Sequence, residues 1–185
     1  MCAGMIFTET PLLGAYVIEI EKHEDERGFF ARSWCAQEFS SRGLDSRLVQ
    51  CNISFNERKG TLRGLHYQLP PHGEVKLVRC TRGAIYDVIV DLMADSPTFL
   101  KWFKVELTAM DYRMLYIPER FAHGFQTLEN GTEIVYQMSE CYVPDAARGI
   151  CWNDSRVGIV WPEADRTISK KDREYTDLDR TFAGL

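Results

Sequence analysis

His66 stands in Gly64-Leu65-His66-Tyr67-Gln68, with Arg63 shortly before it and Lys76 on the next apolar run. A second histidine, His123, sits in Phe121-Ala122-His123-Gly124-Phe125. Imidazole changes charge near neutral pH, so it can take a proton from a carbon acidified by an adjacent carbonyl. A lone strand histidine is more often a packed residue than a catalyst. Here the context shifts the odds, because a lumen collecting His, Lys and Arg among apolar walls suits a bound anion.

Three further side chains each carry two readings. Lys76 opens Lys76-Leu77-Val78-Arg79-Cys80, and strand parity puts it on the face of Val78 and Cys80. Taken alone, the stretch favours an edge lysine in water; the chemical reading is an ammonium aimed at an enolate oxygen. Tyr136 shares its face with Ile134 and Met138, and with Glu140 and Tyr142 if the strand runs unbroken. It is either core packing with its hydroxyl at the rim, or a proton donor to a carbanion. Asp172, in Ser169-Lys170-Lys171-Asp172, has the spacing of a helix capping box. The sharper alternative is a carboxylate that orients a histidine and raises its basicity. A metal centre would need His66, His72 and His123, with Glu74 or Glu133 as a fourth ligand. The chain lacks a close H-x-H pair followed by Glu, and Leu69-Pro70-Pro71 reads as a turn, so no metal is expected.

The elements that must position these groups are short and β-like. Apolar or alternating runs cover Ala15–Ile20, Leu48–Phe55, Thr61–Gln68, Val75–Asp91 with a break at Arg82-Gly83, Phe99–Leu107, Arg113–Ile117, Gly124–Leu128 and Glu133–Tyr142. Turn signals such as Arg58-Lys59-Gly60 and Glu129-Asn130-Gly131 separate them. Many short strands with little helical periodicity argue for a sandwich or barrel, here a jelly-roll-like one. Helix is expected at Cys35–Arg42 and at Ser169–Glu174, with Ser169 as the N-cap. Arg63 and His66 fall on opposite faces of an ideal strand, so either Gly64 marks a bulge or Arg63 works from the barrel mouth.

A chain of 185 residues suits one domain, 1–185, with residues 1–5 a loose end and Met5 a candidate natural start. A net charge of -5 argues against nucleic-acid binding but not against an anionic small ligand held by local arginines. The six cysteines make no C-x-x-C pair, and several lie in apolar runs as small hydrophobes. With no secretory leader and no apolar stretch of membrane-span length, a cytoplasmic protein is expected.

The motifs, taken in order, resemble the dTDP-4-dehydrorhamnose 3,5-epimerase family. They are Arg27-Gly28-Phe29-Phe30, Gln50-x-Asn52, Leu62-Arg63-Gly64-Leu65-His66-Tyr67-Gln68, Lys76-Leu77-Val78-Arg79 and Ser96-Pro97-Thr98-Phe99. Then come Ile117-Pro118-x-x-Phe121-Ala122-His123-Gly124-Phe125, Trp152-Asn153-Asp154, Trp161-Pro162 and Ser169-x-Lys171-Asp172. Any one is weak; the ordered set, from about Pro11 to Asp179, is specific.

The resemblance implies an all-β cupin-type jelly-roll with a few short peripheral helices, no metal or organic cofactor, and a homodimer. It implies His66 as base, oriented by Asp172, Tyr136 as the opposing acid, and Lys76 at the enolate oxygen. Arg27, Gln50, Asn52, Arg63, His123 and Lys171 match positions that hold the sugar or its pyrophosphate, with Tyr142 near the nucleotide. Arg27 is expected to reach the partner subunit's site. Two departures bear on nucleotide preference: Arg32, where the family often has an acid, and Ala147, where it often has a glutamate. Alternatives are a C3-only or C5-only epimerase, a ketoisomerase, a non-catalytic sugar-binding cupin, and a metal-dependent cupin oxygenase.

Overall fold

The computed structural model describes residues 4–185. The chain opens with β1 (Met5–Glu9), β2 (Tyr16–Ile20), β3 (His23–Asp25), β4 (Gly28–Phe30) and helix α1 (Ala36–Ser40). The central run is β5 (Gln50–Asn56), β6 (Thr61–Gln68), β7 (Lys76–Arg82), β8 (Ala84–Asp91) and β9 (Trp102–Thr108). It continues with β10 (Met114–Ile117), β11 (Phe121–Thr127), β12 (Thr132–Met138) and β13 (Ala147–Gly149). The chain closes with β14 (Thr167–Ile168) and helix α2 (Lys170–Arg173).

One sheet has the order β1-β2-β10-β7-β12-β5; the other is β13-β6-β11-β8-β9, with β14 added in parallel beside β6. β3 and β4 form a separate hairpin. The chain crosses between the two large sheets at the Arg82-Gly83 turn, between β7 and β8. This is the cupin-type jelly-roll, and alternation explains how each strand serves it. In β7, Val78 and Cys80 point inward to meet Ile85 and Ile89 of β8, Phe121 and Phe125 of β11 and Ile134 of β12. Each fully buried Ile, Leu or Phe of this layer contributes about 1.5–3 kcal/mol.

Both outer faces are also covered, which explains strands that read as continuously apolar. Tyr86, Val88 and Val90 of β8 point away from the lumen and lie under Ile150, Val157 and Trp161 of the C-terminal segment. β8 is therefore buried at every residue. On the opposite sheet Phe39 of α1 seals Ile18, Leu77 and Tyr116, meeting Phe7 edge-on at 5.3 Å and Tyr116 at a tilt at 5.7 Å.

Boundaries shift modestly from the sequence expectation. α1 is shorter than Cys35–Arg42, and Cys35 occupies its N-cap position without a side-chain cap. The strand expected over Glu133–Tyr142 ends at Met138. Residues 1–3 of the expected loose end lie outside the described residues, and its last residue, Met5, is buried in β1 opposite Ile20. The five described cysteines are free thiols: Cys80 is a buried hydrophobe, as the apolar runs suggest, whereas Cys51 and Cys141 are exposed. No helix among the described residues is long and apolar enough to cross a membrane.

Candidate active site

Between the sheets lies a cavity of about 510 Å³ that opens to solvent. His66 and His123 enter it from β6 and β11 of one sheet, where they are cross-strand partners. Lys76 and Tyr136 enter from β7 and β12 of the other sheet. Base candidate and acid candidate thus stand on facing walls.

His66 meets Asp172 with Nε2 2.7 Å from Oδ1. The carboxylate is 5% exposed and the imidazole 43%, so the ring remains reachable while its partner does not. Burial pushes the Asp172 carboxyl up, but the hydrogen bond and charge of His66, the Gly64 N–H and Ser169 outweigh it. Its pKa therefore lies below the ordinary carboxylate value. Asp172 makes contacts that bear on both readings. Its backbone N–H donates to the Ser169 hydroxyl at 3.0 Å, capping α2, while its side chain is spent on His66.

The parity conflict between Arg63 and His66 is resolved by a bulge. His123 opposes His66 and Phe125 opposes Arg63, so β6 carries one extra residue over that interval. Gly64 takes it up at φ +120°, and a Cβ there would lie 2.6 Å from Gly124 Cα. Both Arg63 and His66 consequently face the cavity. Arg63 is held by a bond from its Nε to Asn56 Oδ1 at 2.8 Å.

Lys76 is not an edge lysine in water. β7 is a central strand between β10 and β12, and the ammonium is buried, paired with Glu74 at 2.7 Å. It also donates weakly to the His66 carbonyl at 3.5 Å, which places the ammonium beside the base. Tyr136 packs on the inter-sheet core and meets the His123 ring edge-on at 5.9 Å. Desolvation, with the Asp87 charge adding to it and Arg63 opposing, pushes its phenol far above the ordinary tyrosine value. The hydroxyl therefore carries its proton throughout the neutral range.

Gln50 and Asn52 line the mouth from β5 and bond to each other at 3.1 Å. Gln50 Oε1 accepts from the backbone of Tyr142, whose ring stays exposed at the rim. Lys171 completes this end of the cavity. Arg27 alone among the expected residues stays away: it sits on the β3–β4 hairpin, 83% exposed and paired with Asp25.

The two departures from the family pattern separate. Ala147 lines the cavity beside Arg148, whereas Arg32 is tied to Glu38 of α1 at 2.6 Å.

Sequence reasoning missed Asp87. Its Oδ1 lies 2.6 Å from His123 Nε2, it is fully buried, and its Oδ2 has no hydrogen-bond partner among the described residues. A signal was present, since Asp87 is a carboxylate in the otherwise apolar Ile85-Tyr86-Asp87-Val88-Ile89-Val90, at the inward parity of Ile85 and Ile89. Among the described residues no group of three or more His, Cys, Asp or Glu could hold a metal, and His66 and His123 each face their own carboxylate instead.

Fold and lumen define a class: a cupin-type jelly-roll whose open cavity has histidines on one wall and a lysine and a tyrosine on the other. The model of the family described as dTDP-4-dehydrorhamnose 3,5-epimerase matches residues 9–180. The dTDP-4-dehydrorhamnose 3,5-epimerase of Shigella flexneri is 42% identical over 180 residues, covering 95% of this chain and 98% of its own. The crystal structure of the Elizabethkingia anophelis enzyme of that name matches with a TM-score of 0.92 at 38% identity, covering 96% and 98% of the two chains. The Bacillus anthracis enzyme, solved with TDP and PPi bound, matches at 0.91 and 40% identity, covering 95% and 100%. The chain belongs to the dTDP-4-dehydrorhamnose 3,5-epimerase family.

Proposed function

We propose that this chain inverts C3 and C5 of dTDP-4-dehydro-6-deoxyglucose to give dTDP-4-dehydrorhamnose, with no metal or organic cofactor. The 4-keto group acidifies the protons on both neighbouring carbons. His66, oriented by Asp172, takes the proton from one face, and the electron pair moves into an enolate. The Lys76 ammonium stabilises the oxygen where that charge develops. Tyr136 returns a proton to the opposite face, restoring the ketone with the carbon inverted. The carrying observation is the His66–Asp172 pair on one sheet across the lumen from Tyr136 on the other.

Arg63, His123, Gln50, Asn52 and Lys171 bind the sugar and diphosphate, and Tyr142 lies by the nucleotide. The TDP bound to the Bacillus anthracis relative supports a nucleotide-sugar substrate. The protein works in the cytoplasm as a homodimer with shared sites. That assembly is supported by Arg27, which stands on an exposed hairpin away from its own cavity, and by exposed Ile53 and Phe55 on the outer face of β5.

Turnover in D2O tests the chemistry, because each carbon that is deprotonated must gain solvent deuterium. Label at C3 and C5 is expected, with Tyr136→Phe keeping exchange while losing inversion. Label at one carbon would reduce the reaction to a single-centre epimerisation. If dTDP, CDP and GDP forms of the sugar all stay unlabelled, a binding role replaces the enzymatic one.

A further inference from the structure

Tyr175 follows the C-terminal end of α2 and enters the cavity wall three residues after Asp172. Its ring stands edge-on to His66, with centroids 5.9 Å apart and planes at 67°. The space it occupies is made by Gly149, the residue of β13 that pairs directly with His66. A Cβ on Gly149 would come within 2.2 Å of the Tyr175 ring. The next residue's carbonyl anchors the segment by accepting from the Cys151 N–H at 3.2 Å.

One short segment therefore delivers two contacts to one place. Asp172 fixes a ring nitrogen of His66, and Tyr175 packs the same imidazole from the side. A carboxylate alone leaves an imidazole free to rock about its single hydrogen bond, and an edge-on aromatic contact restricts that motion.

We propose that Tyr175 is a positioning residue for the reaction, whose ring holds the His66 imidazole in line with Asp172. This rests on the epimerase reading above.

The test combines steady-state kinetics on dTDP-4-dehydro-6-deoxyglucose with calorimetric binding of dTDP. Tyr175→Ala should lower kcat about tenfold or more, since small misplacements of a catalytic group are costly, while dTDP affinity changes little. Tyr175→Phe keeps the ring and should restore kcat to within about threefold of the unsubstituted chain. Gly149→Ala should displace the ring and reproduce the kcat loss of Tyr175→Ala, whereas adding it to Tyr175→Ala should cost little more. Tyr175→Phe as slow as Tyr175→Ala would overturn the role of the ring, as would a Tyr175→Ala loss carried wholly by weaker dTDP binding. Additive losses in the double variant would show that Gly149 and Tyr175 act separately. An unsubstituted chain without turnover would instead strike the epimerase reading itself.

Discussion

Two histidine–aspartate pairs face one lumen, and they are built in opposite ways. His123 and Asp87 come from adjacent strands of one sheet, are 5% and 0% exposed, and lie 2.6 Å apart. His66 and Asp172 lie 2.7 Å apart, but the carboxylate arrives from the far end of the chain and the imidazole is 43% exposed. Near-identical bonds thus sit in different settings. The pair set into the core is a fixed part of the wall, and its loss leaves a buried polar group without its partner. The pair assembled at the surface of the core leaves one ring able to meet a substrate carbon.

The contrast breaks most readily at His66. His66→Ala should lower turnover by about 10²–10⁴-fold, the usual cost of a missing general base. The protein should stay folded, with a smaller loss of stability than at His123, because Asp172 keeps its Gly64 and Ser169 partners. A near-normal rate with an unchanged circular dichroism spectrum would remove His66 from the role of base. His123→Ala should weaken substrate binding and also destabilise the fold, by about 1–3 kcal/mol, since Asp87 would be left buried without its hydrogen-bond partner. Urea unfolding checks this, and an unmoved midpoint would mean that the buried pair contributes nothing to holding the sheets.

Asp172→Asn sharpens the comparison with the smallest effect. The imidazole stays but loses its orienting charge, so the rate should fall about tenfold, less than for His66→Ala. The same variant has a signature in acid. Asp172 has a lowered folded pKa, so its stabilising contribution is complete above the ordinary carboxylate value of about 3.9 and is lost as pH falls through the folded value. Asp172→Asn should therefore flatten the decline of melting temperature below about pH 4. A decline identical to that of the unsubstituted chain would show that the carboxylate carries no fold-linked charge.

Much of this arrangement is legible in the sequence, and the illegible parts share a cause. Thr61–Gln68 reads as a strand and is β6, and the inward parity of Lys76 with Val78 and Cys80 is correct. The depth of Lys76 is not readable, because it depends on β7 lying between two strands that come much later in the chain. Alternation places Ile134, Tyr136 and Met138 on one face, and all three point inward. Asp87 carries a local signal, a carboxylate within an apolar strand, but its partner is named only by the pairing of β8 with β11. The irregular C-terminal segment has no period at all, so its service as a cover over Tyr86 and Val88 cannot be read from it. Tyr175 is hidden for the same reason, since its place depends on the gap left by Gly149.

The position of Asp172 in the chain has a consequence for the timing of biosynthesis. Strands β1 to β13, which build both walls, are all synthesised before residue 172 is added. Lys171, Asp172 and Tyr175, which reach the cavity from α2 and its exit, follow every one of them. A polypeptide released early, or clipped ahead of α2, would carry every lumen residue from Gln50 to Arg148 and yet leave His66 without its carboxylate.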